Sequence, residues 1–375
     1  MCANKKKMIY DFDKWLLPYK DVIDRRHKMI LELRDRLSVG GSLSKGMNNH
    51  VYYGLHRTDA GDWVFREWAP NATKIYLIGD FNNWKRSEAY ALRPLGGGNW
   101  EIVLPSMFLE HGTLYKLFIE WPGGGAERLP AYVTRTVQDP HTKQFCAQVW
   151  DPKPYEWKNA KPGKRPHPLI YECHIGMAAE EYGIGTYDEF RENILPRIKD
   201  LGYNTIQIMA IMEHPYYGSF GYQVSNFYAL SSRFGTPEEF KALVDEAHGL
   251  GIAVVMDIVH SHSVDNEAEG LGNFDGKETL FFYDGWQGRH PAWGSRCFDY
   301  GKDETKYFLL SNCKYWMEEY HIDGFRFDGV TSMLYWDHGL EKAFVGYENY
   351  FNQGVDEKAI AYLALANSLI RAMNP

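Results

Sequence analysis

The chain has 375 residues, 45% apolar and 24% charged, a balance that fits a globular protein with room for two or three domains. Its formal net charge of −8 argues against nucleic acid as a partner. No stretch is long and apolar enough to span a membrane. The five cysteines, Cys2, Cys146, Cys173, Cys297 and Cys313, form no C-x-x-C pair and fit free thiols in a reducing cytoplasm.

Aromatics make up 15%, which suits either a large aromatic core or a surface on which sugar rings stack. The opening run is basic, and Asp11, Asp13 and Lys14 interrupt the apolar residues that follow. It makes a poor secretory signal. Apolar spacing predicts helix over 10–38, split by Pro18, so residues 1–46 form an N-terminal helical segment ending at Gly40, Gly41 and Gly46.

Residues 47–150 change to short alternating runs separated by turn signals. Trp63 to Trp68, Lys74 to Ile78, Trp100 to Leu104 and Leu114 to Ile119 read as strands, and Trp121-Pro-Gly-Gly-Gly125 reads as a turn. Strands at this spacing predict an immunoglobulin-like β-sandwich. The Pro-rich residues 151–168 read as a linker.

From 169 the rhythm is strand then helix. Strands are predicted over 169–176, 204–212, 252–260 and 321–330, and helices over 186–201, 236–250, 304–320 and 356–373. Thr236-Pro-Glu-Glu239 supplies an N-cap, an N1 proline and early acids. A polar, Gly-rich insertion covers about 263–303. The fold class is therefore α/β plus an all-β module. Four β/α units are half of a (β/α)8 barrel, so residues 169–375 are expected to form the first half of a TIM-type barrel.

In such folds chemistry gathers at the C-terminal ends of the strands. Glu172-Cys-His174, Glu213-His214 with Tyr222-Gln223, Asp257-Ile-Val-His-Ser-His262 and Arg326-Phe-Asp328 all fall there. Residues i and i+2 of a strand share a face, so Arg326 and Asp328 project together. A guanidinium beside a carboxylate keeps it ionised, and an aimed carboxylate suits attack on an anomeric carbon. The pair also fits a buried structural ion bridge, and Asp257 also fits a plain counter-charge to Arg326. His260 and His262 are spaced like metal ligands, yet no third ligand matches them. No metal or organic cofactor is implied.

Asp257-Ile-Val-His-Ser-His262 resembles the first signature region of the α-amylase superfamily, and Gly324-Phe-Arg-Phe-Asp328 the second. Met209-Ala-Ile-Met-Glu-His-Pro-Tyr-Tyr-Gly-Ser-Phe-Gly-Tyr-Gln223 and Asp328-Gly-Val-Thr-Ser-Met-Leu-Tyr335 resemble the eukaryote-like 1,4-α-glucan (glycogen/starch) branching enzymes. Gly79-Asp-Phe-Asn-Asn-Trp84 is similar to the glycogen-binding sandwich that precedes their barrels. The resemblance implies Asp328 as nucleophile and Arg326 as the group that orients it. It implies Asp257, Tyr222, His262, Gln223 and His214 as substrate-side residues, and Trp84 with Lys116 as glucan contacts of the sandwich. The implied partner is an α-1,4-glucan such as glycogen; the oligomeric state is left open.

The family's acid/base glutamate lies just beyond a fifth strand and its third carboxylate beyond a seventh. Neither region is in this sequence. The resemblance therefore implies the N-terminal portion of a branching enzyme, holding half an active site and inactive alone. Two rivals stand beside it: a debranching or other hydrolase of the superfamily, and a non-catalytic glucan-binding protein.

Overall fold

A computed structural model describes residues 7–164 and 166–375; Cys2, the rest of residues 1–6 and Arg165 lie outside the described residues. The N-terminal segment breaks at the proline. Ile9–Phe12 is α-helical, Lys14–Tyr19 is a 3-10 turn holding Pro18, and Lys20–Leu37 is the long helix. That helix buries little beyond Arg26 and Leu37. It is tied down mainly by charge and aromatic contact. Arg26 Nε reaches Glu357 Oε1 at 3.1 Å and its Nη1 donates to the Tyr350 carbonyl at 2.9 Å, while Tyr19 stacks on Phe351 at 4.5 Å.

The sandwich consists of two antiparallel sheets. Gly54–Arg57, Trp63–Trp68, Asn99–Leu104 and Arg93–Gly96 form one in that order; Lys74–Gly79, Leu114–Trp121, Phe145–Gln148 and Thr136–Gln138 form the other. Strict alternation of buried and half-buried residues along Leu114 to Ile119 marks its inward face. The predicted turn over 121–125 is shorter than expected. Gly124–Arg128 is itself a strand pairing back on Leu114–Trp121, which leaves Pro122 and Gly123 (φ 89°) as the bend.

The second half is a parallel sheet of Ile170–Cys173, Thr205–Ile208, Ala253–Ile258 and Gly324–Phe327 in sequence order. The two inner strands are largely buried, whereas Ile170–Cys173 and Gly324–Phe327, each hydrogen-bonded to one neighbour, are half open to solvent. The helix Pro237–Gly249 starts with a full capping box between Thr236 and Glu239. The helical run before it is broken: Phe190–Ile194 is π-helical. Pro196 comes two residues after it, and a proline can neither donate to the turn before it nor sit close to its carbonyl.

Three expectations change. The second predicted strand stops at Ile208, and Met212–Glu213 instead pairs antiparallel with Asn226–Leu230 in a hairpin above the sheet. The insertion is not simply polar. Phe274, Phe281, Phe282 and Phe298 are buried in it, and its three-stranded sheet, His262–Ser263, Ser295–Cys297 and Arg289–His290, begins at His262 itself. The segment after residue 151 is pinned. Asp245 accepts from the Lys158 and Asn159 N–H groups, and Trp157 stacks on His321 at 3.8 Å.

Sandwich and sheet meet over a continuous core. Tyr132 packs on Tyr228 and Phe308 at 5.1 Å each. The buried Glu213 carboxylate accepts from the Thr136 hydroxyl of the sandwich at 3.1 Å.

Candidate active site

The parallel register sets Asp257 beside Arg326. Arg326 Nη1 donates both to Asp257 Oδ2 and to Asp328 Oδ1, each at 2.8 Å. Asp328 lies one residue past its strand, with its N–H held by the Ile258 carbonyl at 3.0 Å. Two further donors reach the wholly buried Asp257: the Tyr222 hydroxyl at 2.6 Å and Gln207 Nε2 at 2.8 Å. Burial pushes the Asp257 carboxyl above its usual range, and the bonds from Tyr222 and Arg326 oppose that shift. Burial, reinforced by Asp257, also raises the Tyr222 hydroxyl above its ordinary range.

One guanidinium thus links a buried carboxylate to an accessible one. The Asp328 side chain is 20% exposed and that of Arg326 45%, and both face a cleft of about 380 Å³. Ser219, Tyr222, Gln223, His262 and Trp293 complete its lining, so Asp328 is the one carboxylate among the lining residues. Gly329 follows with φ +65°; a Cβ there would come within 2.5 Å of Ser261 Oγ. That left-handed turn lets the chain leave the strand while Asp328 points outward. A cleft of about 450 Å³ beside Ile170–Cys173 is lined in part by Phe190, Ile194 and Leu201, and its ion pair, Arg197 with Glu180 at 2.5 Å, is solvent-exposed on both sides.

His262 reaches the cleft with both ring nitrogens engaged. Nε2 donates to the Tyr222 carbonyl at 2.8 Å, so Nδ1 is the acceptor for Ser261 Oγ at 2.8 Å. Burial holds its pKa below the ordinary histidine value. Its neighbour His260 faces the helices instead, bonded to Tyr362 at 2.5 Å and Asn312 at 3.0 Å. The pair therefore points to opposite sides.

The structure corrects the placement of His214. Its side chain is wholly buried, with Nδ1 on the Met212 carbonyl at 2.9 Å, and it does not line the cleft. The hairpin that carries it turns the ring toward Phe234 while presenting Tyr222 and Gln223 to the cleft. Glu213 is structural: Ser232, Arg233, His214 and Thr136 all donate to it.

On the sandwich, Trp84 sits at a turn tip with φ 58°. Its indole donates to Asp80 at 3.2 Å, whose other oxygen holds the Leu114 N–H at 2.9 Å. Lys116 is mostly covered and bonded to Glu127 at 3.1 Å. Three residues escaped sequence reasoning. Gln207 was visible in principle as a polar residue inside an apolar strand. Ser219 lies within the 209–223 motif but was not singled out. Trp293 carries no local signal, because only the return of a distant loop brings it to the cleft.

Residues 52–141 match the family described as carbohydrate-binding module 48 (isoamylase N-terminal domain), and residues 180–279 match the α-amylase catalytic domain. These matches fit a β-sandwich followed by part of a TIM-type barrel. The catalytic module of the glycogen-degrading pneumococcal virulence factor SpuA shares the fold, with a TM-score of 0.66 at 21% identity over 88% of this chain and 51% of that one. Among curated proteins, the 1,4-alpha-glucan-branching enzyme of Yarrowia lipolytica is 46% identical over 97% of this chain and 54% of its own length. The Arabidopsis thaliana 1,4-alpha-glucan-branching enzyme 2-2, chloroplastic/amyloplastic, is 46% identical over 98% of this chain and 47% of its own. The chain spans about half the length of these relatives. Over nearly its whole length the chain is similar to the first half of 1,4-alpha-glucan-branching enzymes.

Proposed function

We propose that this chain supplies the nucleophile side of a retaining glucan-branching site. The observation that carries the reading is the Arg326 guanidinium shared between buried Asp257 and accessible Asp328 at 2.8 Å each. It fixes the direction of the Asp328 carboxylate through a charge-assisted hydrogen bond. In this reading Asp328 attacks the anomeric carbon of an α-1,4-glucan, and the glycosidic C–O bond breaks to give a glycosyl ester. The leaving oxygen needs a proton, and a retaining site places its donor carboxyl roughly 5–5.5 Å from the nucleophile. Among the described residues Asp328 is the only carboxylate lining the cleft, so that donor is a group outside them. The 6-hydroxyl of an acceptor glucan, giving its proton to the now deprotonated donor group, then attacks the glycosyl ester, and the Asp328 carboxylate leaves as an α-1,6 link forms.

Tyr222 is assigned a stacking face under the attacked sugar and Gln223 a contact beside it. Asp257 is the positioning residue for Arg326. His262 takes a substrate hydroxyl only by exchanging the Tyr222 carbonyl or Ser261 for it. His214 receives no substrate role. Trp84 and Lys116 are assigned to glucan contact on the sandwich. The proposed division is residues 1–46, 47–150, 151–168 and 169–375, the last supplying four β/α units of eight. Four described cysteines are free thiols, which supports a reducing compartment, the cytoplasm.

The test is the whole protein with and without Asp328→Asn, assayed on amylose for iodine staining and reducing ends. Branching lowers staining with few new reducing ends, and Asp328→Asn abolishes it. Steady release of reducing ends instead would establish a hydrolase, and unchanged turnover in Asp328→Asn would remove the nucleophile assignment.

A further inference from the structure

The insertion after the third parallel strand has a single residue in the cleft, Trp293. Its backbone delivers that residue in a defined way. Ser295–Cys297 pairs with His262–Ser263, which puts Cys297 opposite His262, and Arg289–His290 pairs in turn with Ser295–Cys297. The bend between His290 and Ser295 therefore hangs over His262, whose ring lies 4.9 Å from the Trp293 ring. The Trp293 carbonyl accepts from Gln223 Nε2 at 3.4 Å. A Cβ on Gly329, the residue after Asp328, would lie 3.5 Å from Trp293 Cη2, so the indole edge reaches the nucleophile's own turn.

The indole is also backed on one side. His290 stacks on it at 3.9 Å and 2°. His290 is buried and fixed at both nitrogens, Nε2 to Ser332 Oγ at 2.7 Å and Nδ1 to the Trp293 and Ala292 N–H groups at 3.1 and 3.3 Å. Both backbone groups are donors, so Nδ1 is the acceptor and Nε2 carries the proton. Ser332 belongs to the short helix that follows Gly329, which couples the indole's backing to the Asp328 turn. A tryptophan rigid on one face and 43% exposed is what a pyranose ring stacks on. An exposed tryptophan left to move would give up that contact to rotamer entropy.

We infer that Trp293 is a second aromatic platform of the cleft, binding a glucose ring of the same α-glucan next to the Asp328 turn, and that His290 is its positioning residue. The inference rests on the glucan reading of the cleft. Maltoheptaose titrated against the chain, with hydroxyl-radical labelling read peptide by peptide, separates the two. Trp293 and Tyr222 should both lose labelling, while the exposed Trp15 and Trp286 should not. Protection of Tyr222 without Trp293 overturns the platform and leaves the cleft reading standing; protection of neither overturns both. In calorimetric titration of a Trp84→Ala background, Trp293→Ala should weaken maltoheptaose about tenfold, a loss of ~1.4 kcal/mol, and Trp293→Phe should recover most of it. His290→Ala should weaken binding, and His290→Phe, which returns a flat ring behind the indole, should recover most of it. Equal affinity of Trp293→Ala and its background overturns the inference.

Discussion

Glu213 gives the sharpest test of how the two halves of this molecule are joined. It lies on the first strand of the hairpin that carries Tyr222, is 0% exposed, and faces an Arg233 side chain that is only 12% exposed. Its Oε2 accepts from Ser232 N at 2.9 Å, Ser232 Oγ at 3.0 Å and Thr136 Oγ1 at 3.1 Å. Its Oε1 accepts from His214 N at 3.1 Å and Arg233 Nη1 at 3.3 Å. Glu213→Ala leaves a buried cation without its carboxylate, a change of roughly 3–5 kcal/mol in other proteins. Two backbone N–H groups also lose their acceptor, and each unsatisfied group costs about 1–3 kcal/mol. These losses share one site and overlap, so the expected total is about 4 kcal/mol. Thr136→Ala removes one neutral donor and should cost about 1 kcal/mol. Urea unfolding at neutral pH, followed by circular dichroism and tryptophan fluorescence, measures both. Pairing Glu213→Leu with Arg233→Met removes both charges and should recover at least about half of the loss. A Glu213→Ala variant within about 1 kcal/mol of the parent would refute the argument that buried charge is compensated at this junction.

Acid should destabilise the fold through His260, whose pKa burial lowers to about 4 from the ordinary histidine value of 6.5. Its contribution is complete above pH 6.5 and is lost as pH falls toward 4, about 3 kcal/mol in all; His260→Gln should flatten unfolding free energy against pH over that window. Gly329→Ala forces a Cβ at φ +65° to within 2.5 Å of Ser261 Oγ, so it should cost on the order of 1–3 kcal/mol in urea unfolding. Trp84→Ala should reduce retardation of the chain in glycogen-containing native gels by severalfold while leaving its unfolding midpoint unchanged; equal retardation would remove Trp84 from the glucan contacts. The purified chain of residues 1–375 should show no iodine-detected branching, and turnover lost in Asp328→Asn would contradict the need for an outside proton donor.

Much of the architecture was readable because its signals are local. Alternation over Leu114 to Ile119, the Thr236–Glu239 cap and the apolar strand 252–260 each express a backbone preference within a few residues. The Arg326–Asp328 pair was readable for the same reason, since two residues apart on a strand means one face. The hairpin Met212–Glu213 with Asn226–Leu230 was missed because its apolar run continues that of the strand before it. The insertion was misjudged because its glycines and charges are spread evenly, whereas its phenylalanines find their core on other elements.

The sequence by itself determined which strand ends carry polar residues, which carboxylate has a cation beside it, and where the chain changes from sandwich to β/α units. These follow from periodicity and from spacing along one strand. Only the tertiary structure decided that His262 turns to the cleft while His260 turns away. It alone separated Tyr222 from His214 on one hairpin, made Glu213 a junction, and brought Trp293 beside Asp328. Each of those outcomes depends on contacts between residues distant in sequence, where packing and hydrogen-bond satisfaction select among orientations that local geometry leaves equally open.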